Sequence, residues 1–133
     1  MAIIIRFIFL FQPMRYDESY TFLWFASQPL RYILTNYSLP NNHIFHTLLV
    51  HLAYKLFGGY PWIIHLPALI AGILIVPVTY LLIRDIYDKD SALLSSGLIS
   101  ASSILIEYST NARGYTLFVL FSLLIFYFAN YIV

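Results

Sequence analysis

Polar positions in this chain are gathered into short clusters separated by long apolar runs. Trp62–Ile83 contains no Asp, Glu, Lys or Arg. It meets the length of about 20 residues that a helix needs to cross roughly 30 Å of hydrocarbon. Its only irregularities are His65, Pro67 and Pro77, and prolines are tolerated in spans when neighbouring groups satisfy the freed carbonyls. Ala92–Tyr108 is a second run, with Ser95, Ser96, Gly97, Ser100 and Ala101 as small residues that let helices approach closely. Thr116–Val133 is a third, composed largely of Leu, Phe, Ile and Tyr. Met1–Gln12 is apolar except for Arg6 and Gln12; as a helix it is about 18 Å long, short for a crossing unless Arg6 snorkels. With their flanks these runs predict spans over about 1–14, 62–84, 91–109 and 115–133. No small-residue cleavage site follows the first run, where Pro13-Met14-Arg15 stands, so it reads as an anchor that stays. The shortness of that run and the uncapped end of the last one lead us to expect native sequence beyond both termini.

His43–Phe57 has a different pattern. Ile44, Phe45, Leu48, Leu49, Leu52, Ala53, Leu56 and Phe57 fall opposite His43, His46, Thr47, His51, Tyr54 and Lys55 at the 3.6-residue period. This predicts an amphipathic helix lying in the interface rather than spanning. Residues 15–61 then form one loop region on a single side of the membrane. Arg84 and Lys89 bias the next turn to the cytoplasm, against Arg113 alone in the turn after it. Asp17, Glu18, His43 and Arg113 are thereby expected together on the outer face. Ser38-Leu39-Pro40-Asn41-Asn42 reads as a turn cluster, with Asn42 as the cap of the following helix.

Composition agrees. Hydrophobic residues reach 61% and charged ones only 10%, too few polar side chains to cover a water-soluble globule. Net charge is +1 with no basic run, which excludes nucleic acid as a partner. Cysteine is absent, so disulfides and thiolate metal sites are excluded. The predicted fold class is an all-α polytopic membrane helical bundle with membrane lipid as its solvent.

Few residues can carry chemistry. Asp17-Glu18 follows the first apolar run directly and reads either as interfacial carboxylates that end a span or as a general base or metal ligand at the membrane surface. His43 and His46 sit three apart on the polar helix face, placed to contact a phosphate or to hold a divalent metal with Asp17 or Glu18. Arg113 lies in Glu107-Tyr108-Ser109-Thr110-Asn111-Ala112-Arg113-Gly114-Tyr115 between two apolar stretches, where a planar donor can meet a carboxylate or phosphate; Glu107 is the alternative, structural partner. Arg84, Asp85, Asp88, Lys89 and Asp90 read as an ordinary cytoplasmic turn.

These segments together resemble a known family. Asp17-Glu18-Ser19-Tyr20, Asn41-Asn42-His43 opening a helix that ends Lys55-Leu56-Phe57-Gly58, His65-Leu66-Pro67, and Ile106 through Leu117 look like the N-terminal part of the type-C glycosyltransferases related to protein O-mannosyltransferases and to the aminoarabinose transferase of lipid A, the bacterial family 39-like group above all. The resemblance runs over nearly the whole chain, and Tyr108–Tyr115 is its most specific stretch. It implies transfer of a sugar from a polyprenyl-phosphate donor to a lipid, glycan or protein acceptor on the outer face of a bacterial plasma membrane. It implies Asp17, with Glu18 beside it, as the catalytic carboxylates, and the residues' own chemistry makes His43, His46, Arg113 and Tyr115 the candidate donor-phosphate contacts. A divalent metal is the one candidate cofactor, with no ligand set assigned. The chain departs from the family's usual His-Pro or Lys-Pro-Pro at His43-Ile44 and from its common Arg-Leu-Pro at His65-Leu66-Pro67. The aminoarabinose transferases place a metal-binding Glu where Asn42 stands. Family proteins are several times longer, so the chain is expected to be a fragment of the module and inactive by itself. The alternative class is a non-enzymatic polytopic membrane protein, a transporter fragment or assembly scaffold in which the charged residues are buried structural pairs.

Overall fold

The structure, a computed structural model, describes residues 2–36 and 42–132. Most of the Ser38–Asn42 turn cluster therefore lies outside the described residues. Among the described residues eight α-helices run in chain order: α1 Ala2–Leu10, α2 Tyr16–Thr21, α3 Leu30–Thr35, α4 Ile44–Phe57, α5 Pro61–Ile86, α6 Lys89–Ala101, α7 Ser103–Ser109 and α8 Tyr115–Ala129. A π-helical turn over Phe22–Ala26 continues α2. Among the described residues there is no strand.

The hub is α5, against which α1, α4, α6, α7 and α8 all pack. It begins with Pro61 in its first turn, where a missing N–H costs nothing, and it carries Pro67 and Pro77 within its length. Among the described residues α5 alone is long and apolar enough to cross a membrane as a single helix; α6 and α7 pass together only as a pair bent by 60°. The second apolar run, expected as one span, is thus broken. Ser102 at the break is extended, with φ −61° and ψ 117°, and the small, hydroxyl-rich sequence around it resists bending weakly. Two cores flank α5. Ala26, Val50, Ile64 and Ala112 make one, against Met14 and Phe22. Ala71, Ile75, Leu117 and Leu120 make the other.

Two helices, α1 and α4, turn polar residues inward and large apolar ones outward. In α1 Arg6 is fully buried, whereas Ile3, Ile4, Phe7 and Ile8 are more than half exposed. In α4 His46, Thr47 and Val50 face inward while Phe45, Leu52, Leu56 and Phe57 face outward. The amphipathic helix read from the sequence is present, but its polar face is turned to the protein. Polar groups inside and large apolar ones outside are what a lipid surround demands, since an unpaired polar group in hydrocarbon costs several kcal/mol. Asn42 does not cap α4. Its Nδ2 donates back to Ile33 O (2.9 Å) and Asn36 O (3.1 Å), tying α3 to the start of α4, and His43 occupies the cap position without a side-chain bond.

Candidate active site at the Asp17–Arg113 pair

Asp17 and Glu18 open α2, and successive helical residues point about 100° apart. They consequently meet different surroundings. Glu18 closes the helix start by accepting the Arg15 N–H at Oε2 (3.1 Å), a capping arrangement that leaves it 2% exposed. Asp17 faces out, with 56% of its side chain accessible.

The turn between α7 and α8 delivers Arg113, whose Nη1 donates to Asp17 Oδ2 at 3.2 Å across 96 positions of sequence. The turn is tight: the Arg113 N–H donates to Asn111 O at 2.7 Å. Its last residue approaches the start of α4 so closely that a Cβ on Gly114 would stand 3.0 Å from His43 Cβ. An aromatic wall surrounds the guanidinium. Arg113 Cζ lies 5.2 Å from the Tyr115 ring centre, within cation–π range. Tyr115 in turn meets Tyr108 at 4.8 Å and the edge of His43 at 5.4 Å. Burial, and secondarily the nearby Arg113 charge, hold His43 below the usual histidine pKa, so it is neutral at pH 7 and offers a neutral N–H. An open cavity of about 250 Å³ runs from His43, His46 and Gly114 along Leu117, Phe118 and Phe121.

The structure thus brings Asp17, His43, Arg113 and Tyr115 into one cluster and sets Glu18 and His46 beneath it. Glu18 Oε2 also meets His65 Nε2 at 3.0 Å, and His65 Nδ1 lies 3.1 Å from Leu10 O. A carbonyl only accepts, so Nδ1 is the donor to Leu10 O, and Nε2 faces the Glu18 carboxylate. His46 is 3% exposed. Burial, with a smaller contribution from His43, pushes its pKa down to about 3. It is a neutral ring, and its Nε2 and the Thr47 hydroxyl have no hydrogen-bond partner among the described residues. Glu18, Thr21, His46 and Thr47 border a cavity of about 10 Å³, the room one water needs.

Three further placements were not legible in the chain. Glu107 pairs with Arg15 and not with Arg113. Tyr108 joins the aromatic wall. His65 becomes the buried partner of Glu18, and its signal was that of a lone ionisable residue inside an apolar run. The proposed metal donors do not converge: among the described residues no three His, Asp or Glu side chains are grouped to hold an ion, because Glu18 is engaged by His65 while Asp17 is turned to Arg113. The site as built does not fit a divalent metal.

Residues 41–133 match a family model described as dolichyl-phosphate-mannose-protein mannosyltransferase. The match includes His43, His46, Arg113 and Tyr115 and leaves Asp17 and Glu18 outside it. No curated protein and no solved structure matches the chain. With more than half of its length matched, the chain belongs to the dolichyl-phosphate-mannose-protein mannosyltransferase family.

Proposed function

We propose that this chain carries the reacting pair of a membrane glycosyltransferase, with Asp17 as the general base and Arg113 as the cation for the departing phosphate. Family membership supplies the reaction class, sugar transfer from a polyprenyl-phosphate donor by a membrane-embedded protein. The observation that carries the assignment is the Asp17–Arg113 contact at 3.2 Å, ringed by Tyr115 and His43.

Asp17 takes the proton from an acceptor hydroxyl as its oxygen bonds to the anomeric carbon. The bond from that carbon to the phosphate oxygen breaks, and its electron pair goes to the phosphate. An arginine fork has five N–H donors, so Arg113 can turn to the phosphate as charge develops there and release Asp17 to accept the proton. The cavity beside His43 suits an amphiphile, with polar His43 and backbone at Gly114 at one end and Leu117, Phe118 and Phe121 along the other. Glu18 acts through position, by fixing the first turn of α2. A multi-pass arrangement, with α2, α4 and the α7–α8 turn on the extracytoplasmic face of a bacterial plasma membrane, completes the reading. The acceptor is a lipid, glycan or protein hydroxyl.

The test is transfer from a radiolabelled polyprenyl-phosphate sugar by the active enzyme containing this sequence, normalised to folded protein. Asp17→Asn keeps size but cannot take a proton, so transfer is expected to fall at least ~100-fold. Arg113→Lys replaces the fork by a point charge and is expected to lower the rate with weaker donor binding. Retention of more than about a tenth of the normalised rate in Asp17→Asn removes Asp17 from the base role.

A further inference from the structure

Arg6 is 0% exposed in the middle of α1, and among the described residues no carboxylate pairs with it. A buried charge without a counter-ion is costly unless oriented dipoles replace water around it. Here they do. Its Nε donates to Ser109 Oγ at 3.1 Å, and its Nη1 donates to Ser100 O at 3.3 Å and Ala2 O at 3.2 Å. Ser100 O belongs to the last turn of α6, the negative end of that helix. In a continuous helix this carbonyl would accept the N–H of residue 104; the break at Ser102 releases it. Ser109 is the last residue of α7, and its own hydroxyl donates back to Leu105 O. The guanidinium therefore touches both halves of the broken helix at once. On the far side α5 supplies Gly72, where a Cβ would stand 1.9 Å from Ser109 Oγ and 3.4 Å from Arg6 Nε. Only a residue without a side chain leaves room for this knot.

We propose that Arg6 is a positioning residue: its guanidinium clamps the break between α6 and α7 and thereby sets the turn that presents Arg113 to Asp17. Arg113 lies four positions after Ser109, so a rotation of α7 about the break would move the guanidinium of Arg113 relative to α2. The positioning role rests on the reading of Asp17 and Arg113 as the reacting pair, whereas the clamp itself does not.

The chain has no cysteine, so spin labels can be placed at will. Labels at Leu94 on α6 and Phe118 on α8, both well exposed, report the distance across the break by pulsed electron resonance in the full chain. Arg6→Met is expected to shift or broaden that distribution by several ångströms. Should Arg6→Met not fold, Arg6→Lys retains the charge but loses the planar fork that spans Ser109 and Ser100, and the same shift is expected. An unchanged distribution in the folded variant overturns the clamp. In the active enzyme Arg6→Lys is expected to lower kcat roughly tenfold or more with a smaller change in acceptor KM, as misplacement of a reacting group does. A shifted distribution with undiminished kcat, while Asp17→Asn is inactive, overturns the positioning role and leaves the clamp. Full activity of Asp17→Asn overturns the site reading itself.

Discussion

Adjacent residues on one helical turn point about 100° apart, and α2 uses that rotation to give Asp17 to the surface and Glu18 to the interior. Histidines three apart are separated in the same way. His43 stands at the mouth of the cluster, stacked edge-on against Tyr115, while His46 lies beneath it as a buried neutral ring. Protonating His46 in the fold requires charging a buried ring whose Nε2 has no partner among the described residues. The unfolded chain takes up that proton near pH 6.5, whereas the folded chain holds it off until about pH 3. Stability therefore falls as pH drops below about 6.5, by at most about 1.4 kcal/mol per pH unit from this group. His43 is shifted in the same direction and adds to the slope. The expected outcome in detergent is a thermal midpoint that declines from pH 7 toward pH 4.5 and declines less in His46→Leu. Equal slopes in the two proteins would count against the buried, neutral His46.

At the scale of elements, two helical glycines look alike in sequence and differ in the fold. Gly72 sits where α5 and α7 touch, and a Cβ there would overlap Ser109 at 1.9 Å; Gly97 on α6 has nothing within 4 Å of such an atom. Gly72→Ala must push the helices apart and is expected to cost about 1–3 kcal/mol, the usual range for overpacking. Gly97→Ala meets no obstacle and gains helix propensity, up to about 1 kcal/mol in the stabilising direction. Thermal denaturation of the two variants side by side checks both signs. The helix break at Ser102 lies between these glycines in its physics. Nothing at residues 99–105 compels a bend in the way a proline would, and the released Ser100 carbonyl finds its donor on α1, more than ninety positions earlier.

For the whole molecule, α5 forms the central post, and the groups with polar work to do are collected toward its N-terminal end. His65, near that end, holds Glu18, and Thr116 at the start of α8 donates to Ala68 O at 3.2 Å. The opposite end carries Arg84, Asp85 and the Asp88 cap of α6. Neighbouring Ser91 and Asp90 donate to the Asp88 carboxylate and hold its pKa below the ordinary aspartate value. The multi-pass topology proposed above predicts that these ends face opposite compartments. Tyr60 and Tyr87 flank α5 and are well exposed, so Tyr60→Cys and Tyr87→Cys in this cysteine-free chain report the two sides. An impermeant maleimide applied to intact cells is expected to label residue 60 and spare residue 87. The reverse pattern inverts the topology and places the Asp17–Arg113 pair in the cytoplasm.

Apolar run length and the 3.6-residue period were enough to specify the helical class, the long helix at α5 and the existence of α4 and α8. Those are local properties, decided by hydrocarbon length and by which side chains carry charge. The direction of each polar face was not local. The pattern of α4 shows two faces, yet whether water, lipid or protein meets the polar one depends on what packs beside it; α2 and the α7–α8 turn meet it here. Partner choice among charges was decided in the same way. Glu107 is six positions from Arg113 but pairs with Arg15, and Arg113 reaches Asp17 across 96 positions, because the bend at Ser102 and the clearance at Gly72 set where the turn arrives. The sequence by itself named the candidate polar groups and marked the chain as a membrane protein. Only the tertiary structure decided that Asp17 and Arg113 meet while Glu18 and His46 are withdrawn, since burial and pairing depend on contacts between segments that no local pattern encodes.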